Sequence, residues 1–258
     1  MLPSALDHLS EIVSQARERQ LAVFLDYDGT LTPIVSRPEQ ATLSHSTRET
    51  LRELANLAAV AILSGRDLDD IRRLVDIDGI VYAGSHGFDI AGPRGLRKQV
   101  ATEFLSIIDL AEKELKETLA GISGALLERK RFSIAAHYRN VAGTDVTKVE
   151  QAVNKVAADH SELRKIDNKK VYELQANVNW NKGKAVVWIL ESLGDGRFPV
   201  YIGDDVTDED AFHALRQRGA GIVVGENLQR TAALYVLKAP LEVERFLREL
   251  TRLLPLKS

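Results

Sequence analysis

Asp26 and Asp28 stand two residues apart in Asp26-Tyr27-Asp28-Gly29-Thr30-Leu31-Thr32, directly after an apolar run. Like charges at that spacing repel, and the pair becomes favourable around a hard divalent cation, which takes oxygen ligands. Mg2+ in particular is held by one or two carboxylates together with substrate phosphate oxygens. An Asx-turn leaving a strand would account for either Asp taken alone. A second acidic loop, Gly203-Asp204-Asp205-Val206-Thr207-Asp208-Glu209-Asp210, also follows an apolar run. A helix start would suit Asp208 to Asp210 as solvated N-terminal acids facing the helix dipole. It leaves Asp204 and Asp205 unexplained, whereas a metal site shared with the first loop explains them. Ser64-Gly65-Arg66 offers a hydroxyl and backbone N–H groups near a helix N-terminus, a general phosphate-binding arrangement, although Ser at such a place also serves as an ordinary N-cap. Asn181-Lys182-Gly183-Lys184 opens a helix, where a lysine either neutralises a phosphate or an acidic cluster or is simply solvated.

These loops need elements that bring them together. Leu21-Ala22-Val23-Phe24-Leu25, Ala59-Val60-Ala61-Ile62-Leu63 and Phe198-Pro199-Val200-Tyr201-Ile202 read as buried strands, and each ends at one of the polar loops. Gly221 to Val224 is a further strand. Helical stretches are expected at 4–18, 46–57, 185–190 and 242–254. Strands that are apolar throughout and alternate with helices indicate an α/β fold with a parallel sheet covered on both faces. Ligands of such sheets bind beyond the carboxyl ends of the strands, so the loops should converge on one pocket. The middle of the chain differs. An amphipathic helix from Val100 to Leu115 is followed by strands at 125–128 and 133–139, a helix at 145–159, and strands at 162–166 and 171–175. That pattern reads as an α+β unit, 94–176, inserted into a core formed by 1–93 and 177–258, with hinges at Gly92-Pro93 and Asn177 to Asn181.

Composition narrows the function further. The 258 residues carry 34 Lys and Arg against 37 Asp and Glu, a net charge of −3. A nucleic-acid binder needs a clustered basic excess that this balance does not provide. There is no cysteine, which excludes disulfides, zinc–thiolate sites and a cysteine nucleophile. The longest stretch without Asp, Glu, Lys or Arg, Leu54 to Gly65, has 12 residues, short of the ~20 that span a bilayer. Asp7 and Glu11 stand where a signal peptide would be positive and then apolar. A cytoplasmic monomer acting on a small molecule, with neither nucleic acid nor membrane as partner, is expected.

Taken in order, D-x-D-G-T-L-T, S-G-R, N-K-G and G-D-D-x-T-D-E-D resemble the four motifs of the haloacid dehalogenase phosphohydrolase superfamily. More narrowly, the chain is similar to trehalose-6-phosphate phosphatases over roughly residues 20–250. The narrower resemblance rests on Leu25 to Ile34, Leu63-Ser64-Gly65-Arg66-Asp67, Ala83-Gly84-Ser85-His86-Gly87, Glu128-Arg129-Lys130, Ala136-His137-Tyr138-Arg139, Glu173-Leu174-Gln175 and Thr207 to Asp210. It implies a Rossmann-like parallel-sheet core of haloacid dehalogenase type with an inserted α+β cap. It also implies Asp26 as the nucleophile and Asp28 as the acid and then the base. Asp26, the backbone carbonyl of Asp28 and Asp204 would hold Mg2+. Ser64, with Gly65 and Arg66, and Lys182 would bind the phosphoryl oxygens, and Asp205 and Asp208 would support the metal and Lys182.

From Arg129 to Arg139 the insertion has four Lys or Arg residues, His137 and no acid. A solvated strand pair would show the same alternation. The resemblance implies instead that Glu128, Lys130, His137, Arg139 and Glu173 face the sugar phosphate, with Lys130, Arg139 and Glu173 foremost. His86 either joins them from the core or is a satisfied structural histidine. The substrate expected is trehalose 6-phosphate. Another glycosyl phosphate, such as sucrose phosphate or glucosylglycerol phosphate, would need the same core and different cap contacts. A phosphomutase, a signalling receiver domain and a non-catalytic sugar-phosphate sensor are the other classes such motifs serve. Counted by parts, 94–176 holds 15 basic and 12 acidic residues and the remainder 19 and 25, a mildly basic insertion in an acidic core.

Overall fold

The first strand, β1 (Leu21–Asp26), is buried at every position. Its side chains alternate between two apolar clusters: Leu21, Val23 and Leu25 enter one, Ala22 and Phe24 the other. Both faces of the strand are therefore covered, which is why no polar residue interrupts the run until Asp26. Each fully buried large apolar side chain contributes about 1.5–3 kcal/mol, so Asp26 leaves a firmly anchored strand. The computed structural model describes residues 2–35, 37–168, 170–225 and 231–255.

The chain forms two compact units, Met1–Lys98 with Trp180–Ser258, and Gln99–Asn179. In the first, α1 (Leu9–Glu18) and β1 are followed by α2 (His45–Leu57), β2 (Ala59–Leu63), α3 (Leu68–Val75), β3 (Val81–Gly84), β4 (Asp89–Ala91) and β5 (Arg97–Gln99). The second unit contributes α4 (Leu105–Leu119), β6 (Leu126–Lys130), β7 (Ser133–His137), α5 (Val146–Asp159), β8 (Leu163–Asn168) and β9 (Val171–Ala176). The chain then resumes the first unit with α6 (Lys182–Ser192), β10 (Phe198–Gly203), α7 (Glu209–Leu215), β11 (Ala220–Val224), β12 (Tyr235–Leu237) and α8 (Pro240–Leu253).

The core sheet has the order β12-β11-β10-β1-β2-β3-β4-β5. Strands β12 through β3 run parallel, and β4 turns back antiparallel to β3. Leu9, Leu51, Ile71 and Phe246 place α1, α2, α3 and α8 against one face, while Ala185, Ile189 and Phe212 place α6 and α7 against the other. This is a Rossmann-like α/β core. At the ends of the helices, arginines donate to terminal carbonyls: Arg48 to Leu74 and Val75 of α3, Arg17 to Leu253 of α8, and Arg197 to Leu193 after α6. Each positive charge meets the negative end of a helix dipole. A groove of about 960 Å3 is lined by Arg17, Arg19, Arg94 and Arg197. It contains none of the motif residues.

The inserted unit is an antiparallel sheet, β6-β7-β9-β8. Ile134, Ala136, Tyr172 and Leu174 pack against α4 and α5 through Ile108, Leu115, Val149 and Val153. Glu128, Lys130, Ser133, Glu173 and Gln175 alternate onto the opposite face, as the two-residue period of strands requires.

Several boundaries differ from those expected. The first helix starts at Leu9, because the segment before it bridges to the sheet edge: Ser4 pairs with Val236, and Ala5 N–H donates to the Val236 carbonyl. The strand expected at 133–139 stops at His137, and Arg139 lies beyond it, exposed. The short strands β3, β4, β5 and β12 have three or four residues each, too few for a periodic pattern to register.

Candidate active site

Asp26 ends β1, Leu63 ends β2 and Gly203 ends β10, and β1 is hydrogen-bonded to both of the other two strands. The first and second acidic loops therefore emerge side by side. Their packing leaves no room for a side chain at Gly29. Its φ of +87° lies in the left-handed region, and a Cβ there would be 2.1 Å from Asp204 Oδ2. The loop closes on itself through Gly29 N–H to the Thr32 carbonyl and Leu31 N–H to the Tyr27 carbonyl. Tyr27 is fully buried and anchors it, its hydroxyl donating to the Ala41 carbonyl at 2.6 Å.

Lys182 is the first residue of α6, placed there by the Asn181 N-cap, whose Oδ1 accepts from Lys184 N–H. Its ammonium is only 2% exposed and donates to Asp26 Oδ1 and Asp208 Oδ1, each at 2.7 Å. Asp208 is fully buried, so the alternative of a solvated helix-start acid does not hold for it. Its Oδ1 also accepts from the Tyr201 hydroxyl at 2.6 Å, and its Oδ2 from Asp205 N–H at 2.9 Å. Asp205 itself is exposed, and its carboxylate caps the turn by accepting from Val206 N–H. Tyr201 belongs to this site although its place in an apolar strand marked it only as core. The available signal was a hydroxyl three residues before Asp204 on a strand otherwise filled by aliphatic and aromatic carbon.

Asp26, Asp204 and Asp208 present carboxylate oxygens that lie within 4.8 Å of one another. Thr30 Oγ1 donates to Asp204 Oδ1 at 3.3 Å. Burial raises the Asp26 carboxyl well above the usual carboxylate range, even with Lys182 beside it. Burial, with Asp208 and Asp205 nearby, pushes Asp204 up to about 7. Asp208 and Asp26 raise the Lys182 ammonium, outweighing its own burial. Three carboxylates thus face one ammonium in a poorly solvated site, and their donor set is all oxygen. These are the properties a hard divalent cation requires, so the residues fit the metal the motifs imply.

Asp28 takes a different environment. Both of its oxygens accept from Arg66, Nη2 and Nε each at 2.7 Å, and Arg66 also reaches Asp70 at 3.2 Å. Arg66, expected at the phosphate, is therefore engaged by two carboxylates. Ser64 is 1% exposed. Its hydroxyl accepts from Arg66 N–H and its carbonyl from His86 N–H. His86 has a φ of 56°, and its imidazole lies so close to Gly65 that a Cβ there would be 2.8 Å from the ring. The structure thus brings Ser64, Gly65, Arg66 and His86 together in one loop cluster.

In the inserted unit Glu173 is 2% exposed and accepts from Ser133 Oγ and from Lys130 Nζ. Glu128 bonds His137 Nε2 at 2.8 Å, and this contact lowers the Glu128 carboxyl. Arg129 points the other way, to Asp109 and Glu112, so the basic run divides between two faces of the strand. Arg139 joins none of these contacts. Among the described residues no helix is long and apolar enough to cross a membrane.

Comparison with known proteins places the chain in a family. A Mycobacterium tuberculosis protein described as an uncharacterized glycosyl hydrolase is 46% identical over 260 residues, covering 96% of this chain and 20% of that protein. The chain therefore spans a fifth of that relative's length. The probable trehalose-phosphate phosphatase D of Arabidopsis thaliana is 41% identical over 264 residues, covering 96% of this chain and 72% of the relative. Among solved structures, the C-terminal domain of the C. albicans trehalose-6-phosphate phosphatase has the same fold, with a TM-score of 0.82 at 22% identity over 98% of both chains. The family model described as trehalose-phosphatase matches residues 24–239, and the chain belongs to that family.

Proposed function

We propose that this chain is a Mg2+-dependent phosphatase that hydrolyses trehalose 6-phosphate to trehalose and phosphate through a phosphorylated Asp26. The observation that carries the reading is the Lys182 ammonium held between Asp26 and Asp208, with the Asp204 carboxylate beside them. A carboxylate attacks a phosphate dianion poorly because both are negative, and the Lys182 ammonium, together with the Mg2+ that these carboxylates would hold, would offset the repulsion. Family membership and the relatives' names support the choice of substrate.

Asp26, Asp204 and the backbone carbonyl of Asp28 would hold Mg2+, which when bound neutralises charge on the phosphoryl oxygens. An Asp26 oxygen attacks phosphorus, the bond from phosphorus to the sugar oxygen breaks, and Asp28 gives its proton to that oxygen. A water then transfers a proton to Asp28 and attacks phosphorus, releasing phosphate and the Asp26 carboxylate. One group serves as acid and then as base, and the covalent intermediate divides a difficult step in two. Lys182 neutralises the phosphoryl group in both steps, held in place by Asp208, which Tyr201 fixes in turn. The Ser64 hydroxyl already accepts a hydrogen bond from Arg66 N–H, so its own proton is available to a phosphoryl oxygen. Both Asp28 oxygens accept from Arg66 in this structure, so carrying a proton requires Arg66 to release one of them while Asp70 retains its hold on the guanidinium. We assign the polar strand face of the inserted unit, Glu128, Lys130, His137 and Glu173, to the sugar hydroxyls.

A phosphate-release panel over trehalose 6-phosphate, sucrose phosphate and glucosylglycerol phosphate, with added Mg2+ and a chelator control, tests the assignment. Trehalose 6-phosphate should dominate kcat/KM, and the chelator should abolish release. Preference for another sugar phosphate would reject the substrate. Asp26→Asn should keep the fold and abolish turnover, and near-parental activity in that variant would reject the mechanism.

A further inference from the structure

The chain has two tryptophans, Trp180 and Trp188, and both lie against one cation. Lys98 Nζ is 5.3 Å from the centroid of the Trp180 ring and 5.1 Å from that of Trp188, within cation–π range of each. All three residues are partly buried. Lys98 is the last residue of the core unit before the insertion and Trp180 is the first after it, so the contact fastens both connections to α6.

Trp180 is joined to the phosphate side of the site by two routes. Along the chain it precedes the Asn181 N-cap and Lys182. Across space its indole N–H donates to the Gly87 carbonyl at 2.9 Å. Gly87, with φ +89°, is pressed on α6 so closely that a Cβ would be 2.3 Å from the Ala185 Cβ. The neighbouring His86 N–H holds the Ser64 carbonyl at 2.8 Å. Ser85, His86 and Gly87 all have positive φ, a conformation the surroundings must impose.

We propose that Lys98 is a positioning residue: lying against both indoles, it fixes Trp180, which in turn sets the start of α6 with Lys182 and the Ser85–Gly87 loop with Ser64. Only the consequence for turnover rests on the phosphatase reading. Lys98→Met keeps the alkyl stem and removes the charge, while Lys98→Arg keeps the charge. In Lys98→Met, amide hydrogen exchange of residues 84–88 and 181–185 should rise by on the order of ten-fold, the loss of two cation–π contacts. Exchange in α2 should stay as in the parent, showing that the variant is folded, and Lys98→Arg should restore protection. Because both tryptophans are in the contact, the emission maximum should shift in Lys98→Met and return in Lys98→Arg. Turnover of Lys98→Met should fall about three- to ten-fold in kcat, with KM for trehalose 6-phosphate changed less than about two-fold. Unchanged exchange at both segments, or equal exchange in the Met and Arg variants, would overturn the proposal. Raised exchange with parental kcat would overturn the link to Lys182 and Ser64. A parent chain without phosphatase activity would defeat the functional reading alone, since exchange still decides the positioning.

Discussion

Replacing Lys182 by Met removes the cation between two acids that water scarcely reaches: Lys182 is 2% exposed, Asp26 5% and Asp208 0%. The volume is nearly conserved, so the loss is electrostatic rather than a cavity. Removing one partner of a buried ion pair costs about 3–5 kcal/mol because the other charge is left uncompensated. Against a total stability of about 5–15 kcal/mol, the variant should remain folded with much less reserve. At about 2–4 °C per kcal/mol for a chain of this size, Tm should fall by roughly 6–20 °C. The direction with pH follows from Asp26, whose carboxyl burial already raises and which Lys182 no longer lowers in the variant. A carboxyl raised in the folded state destabilises it progressively as pH climbs from the unfolded value towards the folded one. The deficit against the parent should therefore be larger at pH 8 than at pH 5. Losing one preorganised positive group at the developing charge should also reduce kcat by about 10²- to 10³-fold. Calorimetry at the two pH values and phosphate release on the same samples decide the matter. A Tm loss below about 2 °C at pH 8, or kcat within ten-fold of the parent, would show that Lys182 does not compensate these acids.

Asp204, pushed up to about 7 by burial from an ordinary value of 3.8, binds its proton more tightly in the folded state than in the unfolded one. Metal-free protein should thus lose stability, on the order of 1–4 kcal/mol, as pH rises from about 4 to about 7. Added Mg2+ should raise Tm more at pH 8 than at pH 5, and equal shifts would count against a cation among these acids. Tyr201→Phe deletes the 2.6 Å hydrogen bond to the buried Asp208; a cost of about 1.5–3 kcal/mol should appear as several degrees of Tm, and an unchanged Tm would mean the contact contributes nothing. Glu173→Gln, at the buried acceptor of Ser133 and Lys130, should raise KM for trehalose 6-phosphate more than it lowers kcat, and an unaltered KM would remove Glu173 from the sugar site.

The sequence showed where the chemistry would emerge because apolar strands stop at charged residues. β1 and β10 each run fully buried to their last residue, so the break to Asp or Gly-Asp-Asp could be read by eye. Pairings across long separations had no such signal. Asp28 and Arg66 are 38 residues apart, Asp26 and Lys182 are 156 apart, and charge type alone does not say which acid a given cation meets. The basic stretch 129–139 shows the cost of counting charge along the chain. Strand alternation sends Arg129 to the acids of α4 and Lys130 to Glu173, while Arg139 passes the end of β7, so four cations in sequence are not one patch in space. The converse holds at Asp208. Its place at a helix start also allowed a solvated acid, yet it accepts from Lys182, Tyr201 and Asp205 at once, and a fully buried carboxylate is tolerated only with such partners. What separates a functional acid from a surface one here is the set of donors aimed at it. Those donors lie on a strand, a loop and a helix that meet only when the sheet forms, so the resemblance could name Asp208 as a supporting acid but not show the three donors that converge on it.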